Sequence, residues 1–353
     1  MSEKEKLSLP SVLVGISGGL DSTYAALSLM EKGYRVEGAV LKFSEHTDIS
    51  SAEKAASDLG IKLHVIDCED DFKKFVTDNF VSEYLRGRTP NPCVVCNRYV
   101  KVKRLFDTAK ELGFDKIATG HYCSVGHENG RYFIRRSRDE LKDQSYMLWG
   151  LSQDQLSMLL TPLEGMSKEE VRSYMAEHGF SQASAKESQD ICFIPDGDYA
   201  RFVSERAQNL PTGDFIDRDG KILGRHKGII HYTIGQKKGL GIALGEKMAV
   251  SEIDADNRTV TLVKASEYTP ARRVLLKDIS FQYIGALDCL SECDLSVKVR
   301  YSAKPRKAEI KVDNGKVYAD FEPLFPDCAP GQSAVFYVGD KLAFGAFIEG
   351  VTR

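Results

Sequence analysis

No apolar run in this 353-residue sequence approaches the roughly 20 residues that a membrane-spanning helix requires. A membrane partner is therefore not expected. The opening Met1-Ser2-Glu3-Lys4-Glu5-Lys6 lacks the apolar core of a signal peptide, and a cytoplasmic location is the expectation that follows. There is no internal repeat and no low-complexity segment. Net charge is only −3, which excludes a chain that holds polyanions by bulk charge alone. Cys-x-x-Cys occurs once, at Cys93 and Cys96, so a zinc knuckle built from two such pairs is excluded. Eight cysteines in a cytoplasmic chain point to thiol chemistry or metal binding before structural disulfides.

The chain is long for one core, and two or three domains are expected. Its first half alternates strands (12–14, 35–43, 61–66, 116–119) with helices (22–32, 50–59, 71–86, 97–112). Alternation with short connections implies an α/β fold, a doubly wound parallel sheet whose ligands sit beyond the strand carboxyl ends. A hairpin turned at Glu128-Asn129-Gly130 follows, with its return strand at 132–136. Helices at 152–160 and 167–178 come next, the second opened by a capping box of Ser167 and Glu170. From Pro211 onward short β-rich runs take over (247–253, 259–263, 295–301, 307–312, 333–337). The expected layout is a parallel-sheet domain at 1–208, a small β-rich central domain at 209–272 and a C-terminal β-barrel at 273–353.

Gly15-Ile16-Ser17-Gly18-Gly19-Leu20-Asp21-Ser22 follows the first strand and opens the first helix. Adjacent glycines let the backbone approach a ligand closely, with N–H groups turned into one concavity. The helix aims its positive end at the same place. Ser17 and Ser22 add hydroxyl donors, and Asp21 brings a carboxylate to where a phosphate-bound Mg²⁺ would sit. This is a phosphate cradle, yet no Gly-Lys-Ser/Thr follows, so it is not a Walker loop. The bland alternative is a tight turn. Ser-Gly-Gly-x-Asp-Ser resembles the PP-loop of ATP pyrophosphatases, which cut ATP to AMP and pyrophosphate and adenylate an oxygen of their substrate.

Asn91-Pro92-Cys93-Val94-Val95-Cys96-Asn97 reads as a loop between two helices. Cys96 falls where the second helix would begin, and a helix N-terminus favours thiolate, which makes it a nucleophile candidate. Two incidental loop cysteines are the alternative. Cys192, in Ser188-Gln189-Asp190-Ile191-Cys192-Phe193-Ile194-Pro195, reads on its own as a buried small hydrophobe. Cys68, Cys123, Cys289, Cys293 and Cys328 lack a reactive context and read as packing residues. Short basic groups at 101–104, 135–138, 225–227, 237–238 and 304–307 each read as solvated surface, but together they admit a nucleic-acid partner.

Seven segments then combine. Gly15–Ser22, the run from Gly87 through Pro92-Cys93 to Asn97, Ala118-Thr119-Gly120-His121-Tyr122, Lys142-Asp143-Gln144-Ser145-Tyr146, Ser188–Pro195, the run from His231 to Gly241, and Pro330-Gly331-Gln332 to Tyr337 all resemble tRNA-specific 2-thiouridylases, in family order over nearly the whole chain. The resemblance implies a PP-loop, adenine nucleotide alpha hydrolase-like domain with two β-rich domains behind it. It implies an enzyme that replaces O2 of the wobble uridine with sulfur in tRNAs for Glu, Gln and Lys. ATP with Mg²⁺ would activate O2 as an adenylate. Gly15 to Ser22, Leu41 and Gly120 match nucleotide contacts. Cys192 matches a cysteine that carries sulfur as a persulfide, supplied by a cysteine desulfurase directly or through a relay protein. Cys96 matches the nucleophile that releases this sulfur, leaving a Cys96–Cys192 disulfide. Asn91, Pro92 and Cys93 match positions beside the flipped base, whose extrusion from a single-stranded loop is cheap. His121, Lys142, Asp143, Gln144, Arg300, Tyr301 and Gln332 match positions that touch tRNA.

Two departures matter. Better-known members carry Asp at the position of Cys93, and 44–50 is short beside the acidic insertion of many members. With Cys at 93, a rival route opens in which Cys93, Cys96 and Cys192 ligate a [4Fe–4S] cluster with one iron left to carry the sulfur. A PP-loop enzyme adenylating another substrate, and an RNA-binding protein with a relic nucleotide site, are the remaining alternatives. Intact Ser17, Asp21 and Ser22 speak against decay.

Overall fold

The structure, a computed structural model, describes residues 10–184, 191–207, 210–290, 293–325 and 328–353. Strand β1 (Ser11–Gly15) is almost wholly buried, as a strand covered on both faces must be. Helix α1 (Leu20–Glu31) leads to β2 (Arg35–Lys42), and β3 (Leu63–Asp67) and β4 (Lys116–Ala118) follow. The hairpin of β5 (Cys123–Glu128) and β6 (Arg131–Arg136) comes next, and the short β7 (Leu159–Leu160) completes the first sheet. Its order is β3-β2-β1-β4-β7, and every pairing is parallel. Period-2 alternation sends Val12 and Val14 into one apolar core with Tyr24, Ala25 and Leu29 of α1, and Leu13 into another with Val100, Val102 and Leu105. Helices therefore cover both faces, as expected. The chain leaves β1 toward β2 on one side and pairs with β4 on the other, so the sheet switches direction at the carboxyl end of β1. Gly15 stands there.

Four elements depart from expectation. Helix α1 starts at Leu20 rather than at residue 22, because extended Gly19 serves as its N-cap and the Ser22 and Thr23 hydroxyls donate back to the Gly19 carbonyl at 3.0 and 2.9 Å. The segment expected as a loop around Cys93 is a helix, Pro92–Cys96, running through a π-helical turn at Asn97–Lys101 into Val102–Leu112. Asn91 caps it through the Val94 N–H at 3.3 Å, with Pro92 in the first turn. The helix expected over 152–160 stops at Met158, and Leu159 and Leu160 pair with Ile117 and Ala118 as a sheet edge.

The fourth is the hairpin. Its strand β6 joins the sheet of the C-terminal half, with Arg135 opposite Lys341. There Ala271–Phe281, Lys316–Phe325, Arg306–Asp313, Leu295–Lys298, Ser333–Val338 and Lys341–Thr352 pair in that order, and the last pairs with the first. The result is a closed six-stranded antiparallel barrel. Gln282, fully buried, ties it to the first half: its side chain accepts from Ile134 N–H at 3.0 Å and donates to the Leu148 carbonyl at 2.8 Å. Between the two lies a four-stranded sheet of Met248–Asp254, Thr259–Lys264, Gly213–Ile216 and Ile222–His226. Among the described residues no helix is long and apolar enough to cross a membrane.

Candidate functional site

A cavity of about 380 Å³ opens at the carboxyl ends of β1, β2 and β4. Gly15, Ile16 and Ser17 form its floor, Asp21 and Ser22 come from the first turn of α1, and Leu41 lies on the β2 side. Thr119, Gly120 and His121 close it from β4, with Lys101 and Gln144 on the remaining wall. Ser17 and Ser22 hydroxyls meet at 3.2 Å, and the Ser17 N–H donates to Ser22 Oγ at 3.2 Å. Gly18 has φ +79°, and a Cβ there would lie 2.3 Å from the Ser51 carbonyl carbon. Only glycine permits that approach. A Cβ on Gly120 would stand 2.9 Å from the Asp21 carbonyl carbon, so a bare backbone is also needed where β4 meets α1.

Several polar groups of the cavity are engaged by neighbours. Asp21 accepts from Lys168 Nζ at 2.7 and 2.8 Å and from the Tyr122 hydroxyl at 2.8 Å. His121 Nδ1 meets the Thr119 hydroxyl at 2.9 Å, and burial, with Lys101 acting in the same direction, pulls its pKa down to about 3. It is a neutral ring. Gln144 accepts from the Tyr122 N–H at 3.0 Å.

Next to this cavity stand three thiols. Cys96 is buried on the inner side of its helix, whereas Cys93 and Cys192 are exposed. Ser188, Gln189 and Asp190 lie outside the described residues, but the turn after them explains Cys192. Ile194 is buried, and Phe193 enters an aromatic cluster with Phe72, Phe80 and Phe202 at 5.6, 5.4 and 5.1 Å, which turns Cys192 outward. The expectation of a buried hydrophobe at 192 is thus wrong. The expectation of a thiolate-favouring helix start at Cys96 is wrong too: Cys96 is the fifth residue of its helix, and burial pushes its thiol up to about 12. Desolvation also raises Cys93 and Cys192. The charges of the thiols act on one another, and Lys101 acts on all three in the opposite direction. Of the cysteines read as packing residues, Cys68, Cys123 and Cys328 are buried, Cys293 is half-buried and Cys289 is exposed.

Both later domains hold the approach to Cys93. Gln332 donates to the Thr89 and Pro90 carbonyls at 2.7 and 3.2 Å, and the Thr89 N–H donates to the Pro330 carbonyl at 2.9 Å. Arg88 pairs with Glu349 at 3.1 Å and Glu83 at 2.8 Å. Gly87 lies against Ile253 of the central sheet, where a Cβ would be 2.6 Å from the isoleucine side chain.

Family models described as tRNA methyl transferase HUP domain, tRNA methyl transferase PRC-barrel domain and Aminomethyltransferase beta-barrel domain match residues 10–196, 200–264 and 274–348. A tRNA-specific 2-thiouridylase MnmA of Clostridium acetobutylicum is 41% identical, over 96% of this chain and 99% of that one. Its namesake in Acetivibrio thermocellus is 41% identical over 97% of this chain and 100% of that one. The chain belongs to the tRNA-specific 2-thiouridylase family. Among solved structures, a 4-thiouridine synthetase–RNA complex with bound ATP aligns at 19% identity over 54% of this chain and 46% of that one, with a TM-score of only 0.36.

Within this family fold the metal expectations do not fit. Among the described residues no three His, Cys, Asp or Glu side chains are grouped so as to hold a metal ion. That applies to Cys93, Cys96 and Cys192, so the [4Fe–4S] expectation gains no support from the arrangement of these thiols. Asp21, expected beside Mg²⁺, has both oxygens engaged by an ammonium instead.

The residues expected to touch tRNA divide. Asp143 is fully buried: it accepts from Ser137 and Ser145 N–H at 3.1 Å each, and Arg136 and Lys298 lie 3.5 and 3.9 Å away. Its side chain is closed off from solvent in this structure, and it fixes the loop that carries Lys142 and Gln144. Gln332, also buried, braces Thr89 and Pro90 rather than facing outward. His121 and Gln144 line the cavity, while Lys142, Arg300 and Tyr301 are half-exposed, Tyr301 under Lys298 Nζ at 5.6 Å. Several basic groups are locally paired: Lys103 with Asp107, Arg135 with Glu128 and Asp340, and Arg225 with Asp214. Sequence reasoning missed Lys101, Tyr122 and Lys168. Lys101 sat inside a basic run read as surface, and Tyr122 ended a recognised motif without a role. Nothing local marks Lys168.

Proposed function

We propose that this protein is an ATP-dependent tRNA sulfurtransferase that converts the wobble uridine of tRNAs for Glu, Gln and Lys to 2-thiouridine. One observation carries the reading. Lys101 belongs both to the wall of a phosphate-cradling cavity and to the surroundings of three thiols, so nucleotide activation and sulfur delivery meet at one place.

The chemistry follows from the groups present. A uracil carbonyl oxygen is a poor leaving group. Attack of O2 on the α-phosphorus of ATP breaks the α–β bond, releases pyrophosphate and the N3 proton, and leaves O2 as an adenylate. Backbone N–H groups of the 15–19 loop and the Ser17 and Ser22 hydroxyls face the charge that develops in this transfer. The terminal sulfur of a Cys192 persulfide then attacks C2, and AMP leaves with the O2 oxygen and the bonding pair. A Cys192–S–S–C2 linkage results. Cys96 as thiolate attacks Cys192 Sγ, the S–S pair passes to the sulfur on C2, and N3 regains a proton as the thiocarbonyl forms. The remaining Cys96–Cys192 disulfide is reduced by an external dithiol. Exposure of Cys192 suits a residue that must be loaded by a separate sulfur donor such as a cysteine desulfurase or relay protein. A cytoplasmic setting suits thiols that must be returned to the reduced state.

AMP and pyrophosphate formation in the presence of unmodified tRNA tests the first half. Turnover that requires tRNA supports the reading, and turnover indifferent to tRNA points to a different acceptor.

A further inference from the structure

Lys101 is the only lysine or arginine among the described residues that line the cavity. Among the described residues, no carboxylate forms an ion pair with it, in contrast to Lys168 beside Asp21. The cavity's other carboxylate, Asp48, is engaged by the Ser50 N–H at 2.9 Å, and its ring, His121, is uncharged at neutral pH. The ammonium therefore stands on the wall of the phosphate cradle without an ion-pair partner among the described residues.

Its backbone position is equally specific. In a regular α-helix, residues five apart sit about 140° from one another, on different faces. Cys96 and Lys101 are separated by the π-helical turn Asn97–Lys101, whose widened i→i+5 bonding is seen in the Val102 N–H to Asn97 carbonyl bond. That widening returns Lys101 toward the side of the helix that carries Cys96. One residue thus lines the cavity and acts with its positive charge on all three sulfurs.

We propose that Lys101 is a positioning residue that couples nucleotide activation to sulfur transfer: its ammonium is engaged by the triphosphate while ATP is intact and passes to the sulfur anions once pyrophosphate has left. The order of events is then built into one side chain. With ATP bound, the phosphates compete for the ammonium and the thiols stay protonated. After adenylation that competition ends, and the sulfur anion is stabilised where the activated base sits. This rests on the reading of the cavity as a nucleotide site.

The test uses the full-length protein and needs no tRNA. Alkylation rates of Cys93 and Cys192 by iodoacetamide are measured at neutral pH by peptide mass spectrometry, with and without adenosine 5′-(α,β-methylene)triphosphate. The wild type is compared with Lys101→Met, Lys101→Gln and Lys101→Arg, all checked for an unchanged melting transition. Without nucleotide, Lys101→Met and Lys101→Gln should react about tenfold more slowly, and Lys101→Arg should recover most of the rate. The analogue should slow alkylation in the wild type and in Lys101→Arg but not in Lys101→Met or Lys101→Gln. Equal rates in the wild type and both neutral variants would overturn the proposal, as would a wild-type rate that saturating analogue leaves unchanged. A separate thiolation assay on the wild type decides the proposed function independently, because no alkylation outcome depends on it.

Discussion

Lys168 and Asp21, 147 positions apart, form a two-pronged ion pair in which the Lys168 ammonium lies 2.7 and 2.8 Å from the two carboxylate oxygens. Lys168 opens the helix Lys168–Glu177 and is buried, and Asp21 sits in the first turn of α1. The pair therefore binds a helix of the second half of this domain to the nucleotide loop. Its strength lies between that of exposed and of buried pairs, because Asp21 keeps 32% of its side-chain exposure.

Replacement of Lys168 by Met should destabilise the protein by roughly 1–3 kcal/mol, since it strands a half-buried carboxylate. Asp21→Ala combined with Lys168→Met should cost less than the two single changes added together. Urea unfolding of the four proteins checks this, and additive costs would mean the pair contributes nothing. Asp21→Ala should also weaken ATP binding, measured by calorimetry, by loosening the first turn of α1.

Much of the first domain was legible because each of its signals is local. The apolar run of β1, the glycines after it and the capping box at Ser167 and Glu170 are all read within a few residues, and the structure contains each of them. What failed was chemistry that reads two ways. Asn91-Pro92 is both a turn signal and an N-cap followed by an N1 proline, and taking it as a turn misplaced Cys96 on its helix. Pairings between distant residues left no local trace: Arg135 with Lys341, Lys168 with Asp21, and Gln332 with Thr89. The resemblance supplied the candidate residues but not their postures, which is why Asp143 and Gln332 turned out to be internal braces.

Cys96→Ser and Cys192→Ser should each abolish thiolation while leaving tRNA-dependent AMP formation measurable. Cys93→Ala should lower thiolation without abolishing it, and the purified protein should contain no stoichiometric iron. Complete loss in Cys93→Ala together with bound iron would favour the cluster route.

Because burial sets the Cys96 thiol at about 12, its thiolate is scarce at neutral pH. In single turnover with preloaded Cys192, sulfur release should rise with pH by about tenfold per unit across the neutral and mildly alkaline range. A plateau beginning near pH 7 would show that the thiol is already ionised.

His121 titrates in the opposite sense. Its folded pKa of about 3 lies below the ordinary 6.5, so between these values the unfolded chain binds a proton that the folded chain does not. Its contribution to stability is complete above pH 6.5 and is lost as pH falls from 6.5 toward 3. His121→Asn should flatten the acid limb of a stability–pH curve, and an unchanged limb would place the ring in water.

Gln332→Ala removes two hydrogen bonds that hold the approach to Cys93, with a cost of about 1 kcal/mol for each carbonyl left without its donor. Thiolation should fall more than AMP formation, because the change acts on the cysteine helix and not on the phosphate cradle. An equal fall in both rates would contradict that division of labour.

A nucleoside digest of unmodified tRNA, after incubation with the protein, ATP and a persulfide donor, decides whether the protein thiolates uridine. A uridine should gain the mass difference of sulfur over oxygen, only when ATP is present and not with Cys192→Ser. ATP converted to AMP and pyrophosphate with no thiolated nucleoside would contradict a thiolating role and assign the cavity to another substrate.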